Sequence, residues 1–312
     1  MKLIRQLYNL RPEHRGGVVT IGNFDGIHLG HQAMLGRVQE HAERLGTHTV
    51  LMSFDPLPHE FFKPDAGTTR LTNLREKTNA LRSLRQCPDH FLVCGFDRAL
   101  AGLEPEAFID QILVERLAIR SIVIGDDFRF GKARKGDFAQ LVEAGEAHGF
   151  EVVALSTHNM DNTRVSSTRV RERLAADDFD AVEKLLGRPY MIEGRVAHGD
   201  KLGRTIGFPT ANILLHRPAT SLEGVYAVKL STGDSGWLPG VANVGTRPTV
   251  DGQQKRLEVH LFDFDQDLYG EHVSVSFHHK IRDEQKFESF ERLKAQIPED
   301  CEQARLFHGI ST

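Results

Sequence analysis

The residues best suited to do chemistry form the segment Gly22–His31, Gly-Asn-Phe-Asp-Gly-Ile-His-Leu-Gly-His. Glycines at 22 and 26 allow the backbone to turn tightly and to approach a ligand. His28 and His31 lie at a predicted helix start, where unpaired N–H groups and the helix dipole favour phosphate. Two imidazoles there could donate hydrogen bonds to phosphoryl oxygens. Two surface histidines or a metal pair would explain the histidines alone, but the complete pattern at a strand–helix junction favours a phosphate site.

A second predicted helix start carries three hydroxyl groups and two guanidinium groups, those of Ser166, Ser167, Thr168, Arg169 and Arg171. One hydroxyl suffices for a helix N-cap, so capping alone leaves two hydroxyls unexplained. Arginine pairs well with phosphate oxygens. The segment therefore predicts a second phosphate clamp, and because the chain has no GxxxxGK[ST] pattern, it is not a P-loop kinase.

The segment 124–131, Ile-Gly-Asp-Asp-Phe-Arg-Phe-Gly, leaves a predicted strand with acidic, aromatic and basic side chains close together. Aromatic rings such as Phe128 could stack on a flat ring of a ligand, and acids such as Asp126 could hold a sugar or an amine. Arg129 lies between the two phenylalanines. A charged loop with a packed phenylalanine pair explains the same composition, and both interpretations stay open here.

The second half of the chain contains a run at 199–212 that is dense in glycine and polar residues. Its glycines permit a loop that folds closely over phosphates. Thr210 and Asn212 alternate in an extended segment, so both face one side, and their oxygens suit Mg²⁺ that bridges nucleotide phosphates. An ordinary hairpin would explain Thr-x-Asn alone. The other candidate phosphate-binding residues of this run are Gly199, Gly203, Thr205 and Gly207.

Two further segments of the second half are candidates. Residues 240–249 predict a polar, rigid loop that includes Asn243 and Arg247. Residues 257–263 alternate apolar and polar side chains, so Glu258 and His260 share a strand face. A carboxylate aimed at a substrate hydroxyl can act as the general base for phosphoryl transfer to an alcohol. A solvated strand face would explain Glu258 taken by itself.

The elements that must position these residues change character along the chain. In the first half, predicted strands at 17–21, 49–54, 91–94, 121–124 and 152–155 alternate with predicted helices at 29–45, 73–85, 105–117 and 138–148. This alternation predicts an α/β domain with a parallel sheet, whose ligands bind at the carboxyl ends of the strands. After helices at 166–175 and 179–186, Gly187-Arg188-Pro189 marks a boundary between domains 1–186 and 187–312.

Beyond this boundary, short apolar runs separated by Gly- and Pro-rich turns predict an antiparallel β domain, a small barrel. These runs lie at 191–196, 225–230, 257–262 and 272–277. The end of the chain is predicted to be helical at 287–297 and 299–307.

Composition excludes several classes of protein. With 312 residues, 39 basic and 43 acidic side chains and a net charge of −4, the chain has no basic field for nucleic acid and no polybasic membrane address. The three cysteines, Cys87, Cys94 and Cys301, contain no CxxC pair, so a zinc site or disulfide framework is not expected. No signal peptide or membrane span is predicted, and we expect a cytoplasmic protein.

The motifs of the first half, with the segments 54–62 and 71–77, resemble the N-terminal module of bacterial bifunctional FAD synthetases, in the His-x-Gly-His nucleotidyltransferase superfamily. The signature pair here is His28 and His31, which would be catalytic. The resemblance implies a Rossmann-like sheet and attack of the FMN phosphate on the α-phosphate of ATP. The ATP-binding residues it implies are Gly22, Asn23, Phe24, His28, His31, Ser166, Ser167, Thr168 and Arg169. Those of the nucleotide or flavin pocket are Asp126, Phe128 and Arg129.

The stretch from about Arg188 to Phe290 resembles the riboflavin kinase family, most specifically in Gly207–Asn212, Gly-Phe-Pro-Thr-Ala-Asn. This resemblance implies a six-stranded antiparallel barrel, with Thr210 and Asn212 near Mg²⁺–ATP. Glu258 would be the base for the ribityl 5′-hydroxyl of riboflavin. Asn243 and Arg247 would belong to the flavin or nucleotide pocket, and the segment 280–282 with the following helix resembles a flap over it.

Together the two modules imply that riboflavin and ATP give FMN, and that FMN and ATP then give FAD and pyrophosphate. Mg²⁺ bound with ATP is the expected cofactor, and no tightly bound prosthetic group is required. The expected partners are ATP, riboflavin, FMN and FAD, without nucleic acid or membrane, and a homo-oligomer is left open. Two other hypotheses are a kinase whose first half serves as a nucleotide-binding or assembly module, and a flavin-binding regulator without turnover. An oxidoreductase is disfavoured because no GxGxxG follows the first strand.

Overall fold

A computed structural model of the chain describes residues 1–64, 69–155, 159–160, 163–198, 207–215, 220–233, 236–249 and 252–311. They form two compact units. The first comprises Met1–Thr68 and Lys77–Ser166, and the second comprises Thr69–Glu76 and Ser167–Thr312. The boundary expected between residues 186 and 187 concerns the functional modules, and it stays a prediction.

The first unit is built on a six-stranded parallel sheet. Its strands are β1 (Lys2–Arg5), β2 (Val18–Ile21), β3 (Thr49–Phe54), β4 (His90–Cys94), β5 (Ser121–Gly125) and β6 (Glu151–Leu155). They lie in the order β1-β4-β3-β2-β5-β6, and every neighbouring pair is parallel. All four residues of β2 are buried, which explains why the central strands read as continuous apolar runs. The predicted α/β class is confirmed, and β1 is a strand that the sequence did not predict.

Helices connect these strands. They are α1 (Leu29–Leu45), α2 (Pro58–Phe62), α3 (Leu74–Arg82), α4 (Arg98–Ala101), α5 (Pro105–Phe108), which continues into a π-helical segment (Ile109–Arg116), and α6 (Phe138–His148). Helix α1 has its predicted bounds because Leu35, Val38 and Ala42 recur at helical spacing on its buried face. Gly46 then ends it in the left-handed conformation, at φ 61°. Shorter elements are the 3₁₀ turns Leu7–Asn9, Pro12–His14 and Lys132–Arg134 and the antiparallel pair β7 (Asn159–Met160) and β8 (Thr163–Arg164).

The second unit is a closed antiparallel barrel. Its strands are β9 (Tyr190–Ala197), β10 (Ala211–Leu214), β11 (Gly224–Ser231), β12 (Leu238–Thr249), β13 (Gly252–Leu261) and β14 (His272–Arg282). They close in the order β10-β13-β12-β11-β14-β9. This unit also contains helices α7 (Ser167–Ala175), α8 (Phe179–Leu186) and α9 (Phe290–Phe307). The predicted antiparallel barrel with terminal helices is confirmed.

Two predictions about the second unit were wrong. Residues 240–249, expected to be a rigid loop, lie in strand β12. The glycine that suggested a loop is needed in the strand, because a Cβ at Gly240 would collide with the carbonyl of His260 on β13. The two helices expected at the end of the chain form the single helix α9, with Pro298 inside it. Packing of Cys301 and Ala304 against the barrel offsets the backbone hydrogen bond that a proline cannot make.

The strand order of the first unit is suited to a ligand at the carboxyl ends of β2 and β5. Strands β3 and β4 lie on one side of β2, and β5 and β6 lie on the other. The chain therefore leaves β2 and β5 in opposite directions across the sheet, which opens a crevice at their carboxyl ends. The segments 22–28 and 126–130 begin at these two strand ends. Within the described ranges, no helix is both long and apolar enough to cross a membrane.

The opposite, amino-terminal edge of the same sheet carries three neighbouring histidines. The ring of His90, the first residue of β4, lies 5.0 Å from that of His14 and 4.8 Å from that of His48. Among the described residues, His14 Nε2, His48 Nε2 and His90 Nδ1 are buried without a hydrogen-bond partner. Burial, together with the neighbouring histidines, lowers the pKa of His90 to about 4. Burial also lowers the pKa of His14.

This cluster predicts that the protein loses stability in mild acid. Because the pKa of His90 is lower in the folded chain, the unfolded chain binds more protons between about pH 6.5 and about pH 4. The free energy of unfolding should therefore fall as the pH is lowered from about 6.5 to about 4. Replacing His90→Gln should flatten the fall, whereas His148→Gln, at a half-exposed surface histidine, should not. Urea unfolding followed by circular dichroism at several pH values measures both, and an equal slope in the two variants would contradict the prediction.

Candidate active sites

The loop after β2 has an unusual backbone. Phe24 and Ile27 have φ of 46° and 47°, and Gly26 has φ of 86°. Positive φ costs little for glycine but is strained for a β-branched residue such as Ile27. The side chain of Ile27 is fully buried, at 0% exposure, and this packing holds the strained conformation. The sequence predicted the glycine turn but not the two residues that share its left-handed backbone.

This loop leaves several backbone donors unused. In the part of the chain that the structure describes, the amides of Asn23 and Phe24 donate to no protein acceptor. The same holds for the amides of Leu29 and Gly30 in the first turn of α1. Unpaired N–H groups at a helix start bind anions, and the helix dipole adds to the attraction. The predicted phosphate site therefore has the donors that it needs.

His28 and His31 lie together at this helix start. His28 is the N-cap residue of α1, and its Nδ1 accepts the amide N–H of His31 at 3.3 Å. The neutral ring of His28 consequently carries its proton on Nε2, which is the atom able to donate. The two rings stack at 3.6 Å with an angle of 16° between them. The fold thus places the predicted signature pair, His28 and His31, in direct contact.

The charge state of this pair follows from its surroundings. Burial lowers the pKa of His31 well below its usual range, and the neighbouring imidazole of His28 and the charge of Lys77 contribute to this lowering. The ring of His31 also packs on Phe24, 4.6 Å away. His31 is therefore neutral at neutral pH in the protein without ligand. A bound anion would favour its protonated form.

Gly30 is required by the packing around His28. A Cβ at this position would lie 3.2 Å from His28 Nδ1 and 3.3 Å from the carbonyl oxygen of Val165. The chain that leads into the Ser166–Arg169 motif therefore passes directly against the start of α1. Ser166 ends the first unit, and helix α7 of the second unit begins at Ser167. Thr168 is exposed. Phosphate binding by this motif stays a prediction.

The third predicted segment, residues 124–131, leaves β5 as expected, and its side chains differ in exposure. Asp126 and Arg129 are exposed, whereas Phe128 is half-buried. Phe128 stacks on Phe130 at 5.8 Å and packs on the core of the first unit. The interpretation as a packed phenylalanine pair is therefore confirmed for the rings. Whether Asp126, Phe128 and Arg129 also contact a ligand stays a prediction.

The structure adds an aromatic cluster that the sequence analysis did not assign. It consists of Phe54 at the end of β3, Phe96 after β4, and Phe61 and Phe62 on α2. Their rings meet edge to face, with centroids 5.3–5.7 Å apart. Phe62 is 61% exposed, although its neighbours bury part of their surface. Only the adjacent Phe61-Phe62 pair could have signalled this cluster, because its other members are distant in the sequence.

The barrel aligns the predicted residues of the second unit in one row. Glu258 on β13 pairs with Asn212 on β10 and with Asn243 on β12. Directly paired residues of antiparallel strands have Cα atoms about 4.5–5.5 Å apart and share a face of the sheet. The neighbouring residues Leu257 and Val259 are buried, so the predicted alternation of β13 is confirmed. Asn212, Asn243 and Glu258 are half-buried and lie on the opposite face of the sheet from Leu257 and Val259.

Thr210 and Asn212 are held in place by local hydrogen bonds. His260 Nδ1 lies 2.8 Å from the carbonyl oxygen of Pro209, which fixes the residue before Thr210 to β13. The side-chain nitrogen of Asn212 donates to the Thr210 carbonyl at 3.4 Å, so its Oδ1 is the atom left to accept. A hydroxyl and an amide oxygen are suitable donors for Mg²⁺. Within the described ranges, no group of three or more His, Cys, Asp or Glu side chains could hold a metal ion.

Thr210 also lines a cavity of about 340 Å³ in the second unit. Its walls combine apolar residues such as Val259 and Leu268 with polar residues such as Asp265 and Asp267. The remaining lining residues are Val196, Pro209, Ala211, Leu261, Phe264, Gln266 and Tyr269. A cavity of this size and mixed polarity is typical of sites for small, partly apolar ligands that make a few polar contacts.

Several predicted residues cannot be placed. Gly199, Gly203 and Thr205 lie outside the described residues, and so does the side chain of Arg247. Gly207 is described and has φ of 87°, which a glycine tolerates.

The segment 280–282, predicted to resemble a flap, forms the end of β14. There Lys280 bonds to Asp177 at 2.8 Å. Arg282 forms two 2.8 Å bonds to Asp300 on α9.

Comparison with known proteins gives a consistent result. A family model described as FAD synthetase matches residues 10–169, and one described as riboflavin kinase matches residues 186–308. The chain is 48% identical to a bifunctional riboflavin kinase/FMN adenylyltransferase of Escherichia coli (strain K12), over 100% of this chain and 99% of that protein. It is 49% identical to the Pseudomonas fluorescens protein of the same name, over 100% and 99% of the two chains.

One solved structure matches over nearly the whole length. It is described as a macrolide-efflux protein from Streptococcus pneumoniae, and it is 31% identical to this chain. The match has a TM-score of 0.80 and covers 98% of this chain and 99% of the other. The likeness extends through both units.

Two glycines of α1 provide a matched test of the geometry at the helix start. Replacing Gly30→Ala should displace the ring of His28, because the added Cβ lies 3.2 Å from its Nδ1. Replacing Gly36→Ala should not, since the nearest atom is Gln86 Cγ at 3.9 Å, and it should stabilise α1 by roughly 0.5–1 kcal/mol. Histidine ¹⁵N chemical shifts report the ring of His28. Unchanged shifts in Gly30→Ala would contradict this account of the packing.

Proposed function

Because the chain belongs to the family of bifunctional riboflavin kinases/FMN adenylyltransferases, we propose that it phosphorylates riboflavin with ATP to FMN and then transfers AMP from a second ATP to FMN, giving FAD and pyrophosphate. The first unit would carry the adenylyl transfer, and the barrel would carry the phosphorylation. The observation that supports this division is that each unit contains a different candidate phosphate site. In the first unit it is the loop after β2 with the stacked pair His28 and His31, and in the second it is the paired residues Asn212, Glu258 and Asn243. The sequence boundary between the two modules would lie between residues 186 and 187.

Adenylyl transfer suits the arrangement in the first unit. An oxygen of the FMN phosphate attacks the α-phosphorus of ATP, and the bond to the β-phosphate oxygen breaks as pyrophosphate leaves. No protein nucleophile is required, so catalysis depends on positioning and on donors aimed at the developing charge. The amides of Asn23, Phe24 and Gly30, which donate to no acceptor within the described ranges, would be fixed donors of this kind. His28 Nε2 and the neutral ring of His31 would add side-chain donors.

The other residues that the sequence assigns to adenylyl transfer would bind ATP or the flavin. Gly22 permits the close approach of the loop to the phosphates. Ser166, Ser167, Thr168 and Arg169 would hold the triphosphate from the second helix start. The flat isoalloxazine ring of FMN would lie near the aromatic cluster of Phe54, Phe61, Phe62 and Phe96, of which Phe62 is largely exposed. Asp126 and Arg129 would bind polar parts of the nucleotide or flavin.

Riboflavin phosphorylation suits the row on the barrel. Glu258 would accept the proton of the ribityl 5′-hydroxyl as its oxygen attacks the γ-phosphorus of ATP, with ADP leaving. Thr210 and the Oδ1 of Asn212 would hold the divalent ion that ATP brings, which we propose is Mg²⁺. This ion supplies charge neutralisation between the phosphates. Asn243, paired with Glu258, would orient the carboxylate or the substrate.

The cavity beside Thr210 supports a site for the adenosine part of the kinase ATP. Its apolar walls and its aromatic Phe264 suit a purine, and its proximity to Thr210 would place the phosphates at the metal-binding residues. Gly199, Gly203, Thr205 and Gly207 would close over those phosphates. Apart from ATP with Mg²⁺ and the flavins, the reaction needs no further cofactor, and we propose that it takes place in the cytoplasm.

The two reactions should be lost separately. Replacing His28→Ala together with His31→Ala removes the side-chain donors of the first unit, so FAD formation from FMN should fall by more than about a hundredfold. Riboflavin phosphorylation should persist. Replacing Glu258→Ala removes the base, so FMN formation should fall by about 10²–10⁴-fold while FMN is still converted to FAD. Chromatography of the flavin products measures both rates in each variant.

Matched controls are available in each unit. His148→Ala and Glu302→Ala change residues of the same types at the surface, and both activities should be retained. Loss of both activities in a folded His28/His31 variant, or in a folded Glu258 variant, would contradict the proposed division.

A further inference from the structure

A buried lysine lies beneath the phosphate-site loop of the first unit. Lys77 on α3 is only 4% exposed, and its Nζ donates to the carbonyl oxygen of Asn23 at 2.7 Å. Ser53, at the end of β3, donates its hydroxyl to the same oxygen at 3.0 Å. Nζ also donates to Ser53 Oγ at 3.4 Å. Two elements distant in the sequence therefore converge on one carbonyl group of the loop.

A buried ammonium group needs partners that compensate for its lost hydration, and the loop carbonyl of Asn23 is one of them. Lysine is rarely buried to this extent, because its ammonium group loses its hydration. A neutral side chain such as that of Ser53 could hold a carbonyl oxygen without this cost. The ammonium group contributes what a hydroxyl cannot, which is a stronger hydrogen bond and a fixed positive charge near the site.

Holding the carbonyl of Asn23 also orients the next amide. In a planar trans peptide the C=O and N–H groups point in opposite directions, so a carbonyl held by Lys77 and Ser53 turns the N–H of Phe24 away from them. Among the described residues, that N–H donates to no protein acceptor. Phe24 has φ of 46°, a conformation that persists only if its surroundings impose it. The contact with Lys77 is one such constraint.

We propose that Lys77 is a positioning residue for adenylyl transfer, whose buried ammonium group holds the Asn23 carbonyl and thereby presents the loop amides to the phosphates of ATP. This inference rests on the proposed adenylyl-transfer function of the first unit. Lys77 acts through the loop and the histidine pair rather than on the reacting atoms.

Its charge has a second effect. Burial, His28 on the same turn and Lys77 on α3 all lower the pKa of His31. Asp25 is the buried carboxylate of the loop itself. Removing the charge of Lys77 should therefore raise the pKa of His31, so that the ring becomes protonated at a higher pH. A residue that only stabilised the fold would not change the titration of the site.

The test compares full-length variants in the conversion of FMN to FAD. Lys77→Met keeps the length of the side chain but removes its charge and donors. We expect the KM for ATP to rise by about tenfold or more, because the amides lose their orientation. The acid limb of kcat/KM against pH should move to higher pH. Lys77→Arg keeps the charge and should leave the acid limb at the wild-type pH, and Lys135→Met, at an exposed lysine of the same unit, should change neither quantity.

The outcomes separate this inference from the proposed function. If the wild type makes no FAD from FMN, the proposed function fails, and the role of Lys77 fails with it. If the wild type is active and Lys77→Met has an unchanged KM for ATP and an unchanged acid limb, only the role of Lys77 is overturned. If Lys77→Met does not fold, Ser53→Ala decides, since it removes the second donor to the same carbonyl. It should raise the KM for ATP about threefold, and an unchanged KM would overturn the inference.

Discussion

The candidate site of the first unit depends on backbone N–H groups at the carboxyl end of β2 that have no acceptor among the described residues. A parallel sheet brings the strand end and the helix start together, and the glycines and the left-handed residues of the loop expose the donors. His28, Ser53 and Lys77 then fix the loop from three sides. The donors are therefore oriented before a ligand arrives. In the adenylyl transfer that we propose, this preorganisation would stabilise the charge that develops on the phosphates without a protein nucleophile.

In the barrel, strand pairing fixes the positions of the candidate site residues. Closure fixes the register of β10, β13 and β12, and this register places Asn212, Glu258 and Asn243 side by side. A shift by one residue would turn all three to the apolar interior, so the packing of Leu257 and Val259 determines the position of the functional row. The same core that stabilises the unit thus aligns its candidate base with its candidate metal ligands.

Sequence reasoning succeeded where the signal is local and periodic. Helix α1 and strand β3 have their predicted bounds because apolar spacing and terminal residues define them within one segment. It failed for β12, because glycine and proline usually indicate a loop. In β12, glycine is needed within a strand because the backbone of β13 lies too close to Gly240 for a Cβ atom. The contact of Lys77 with Asn23 and the phenylalanine cluster were not predicted, because they join residues up to 54 positions apart. Such contacts depend on topology, which periodicity does not specify.

The central claim is that one chain carries out two successive ATP-dependent reactions on a flavin. The most direct measurement is a time course of the wild-type protein with riboflavin, ATP and Mg²⁺, with the flavins separated by chromatography. The account predicts that FMN appears first and that FAD follows as FMN declines, with pyrophosphate formed in step with FAD. Accumulation of FMN without FAD would reduce the first unit to a binding module, and the absence of any flavin product would contradict the claim entirely.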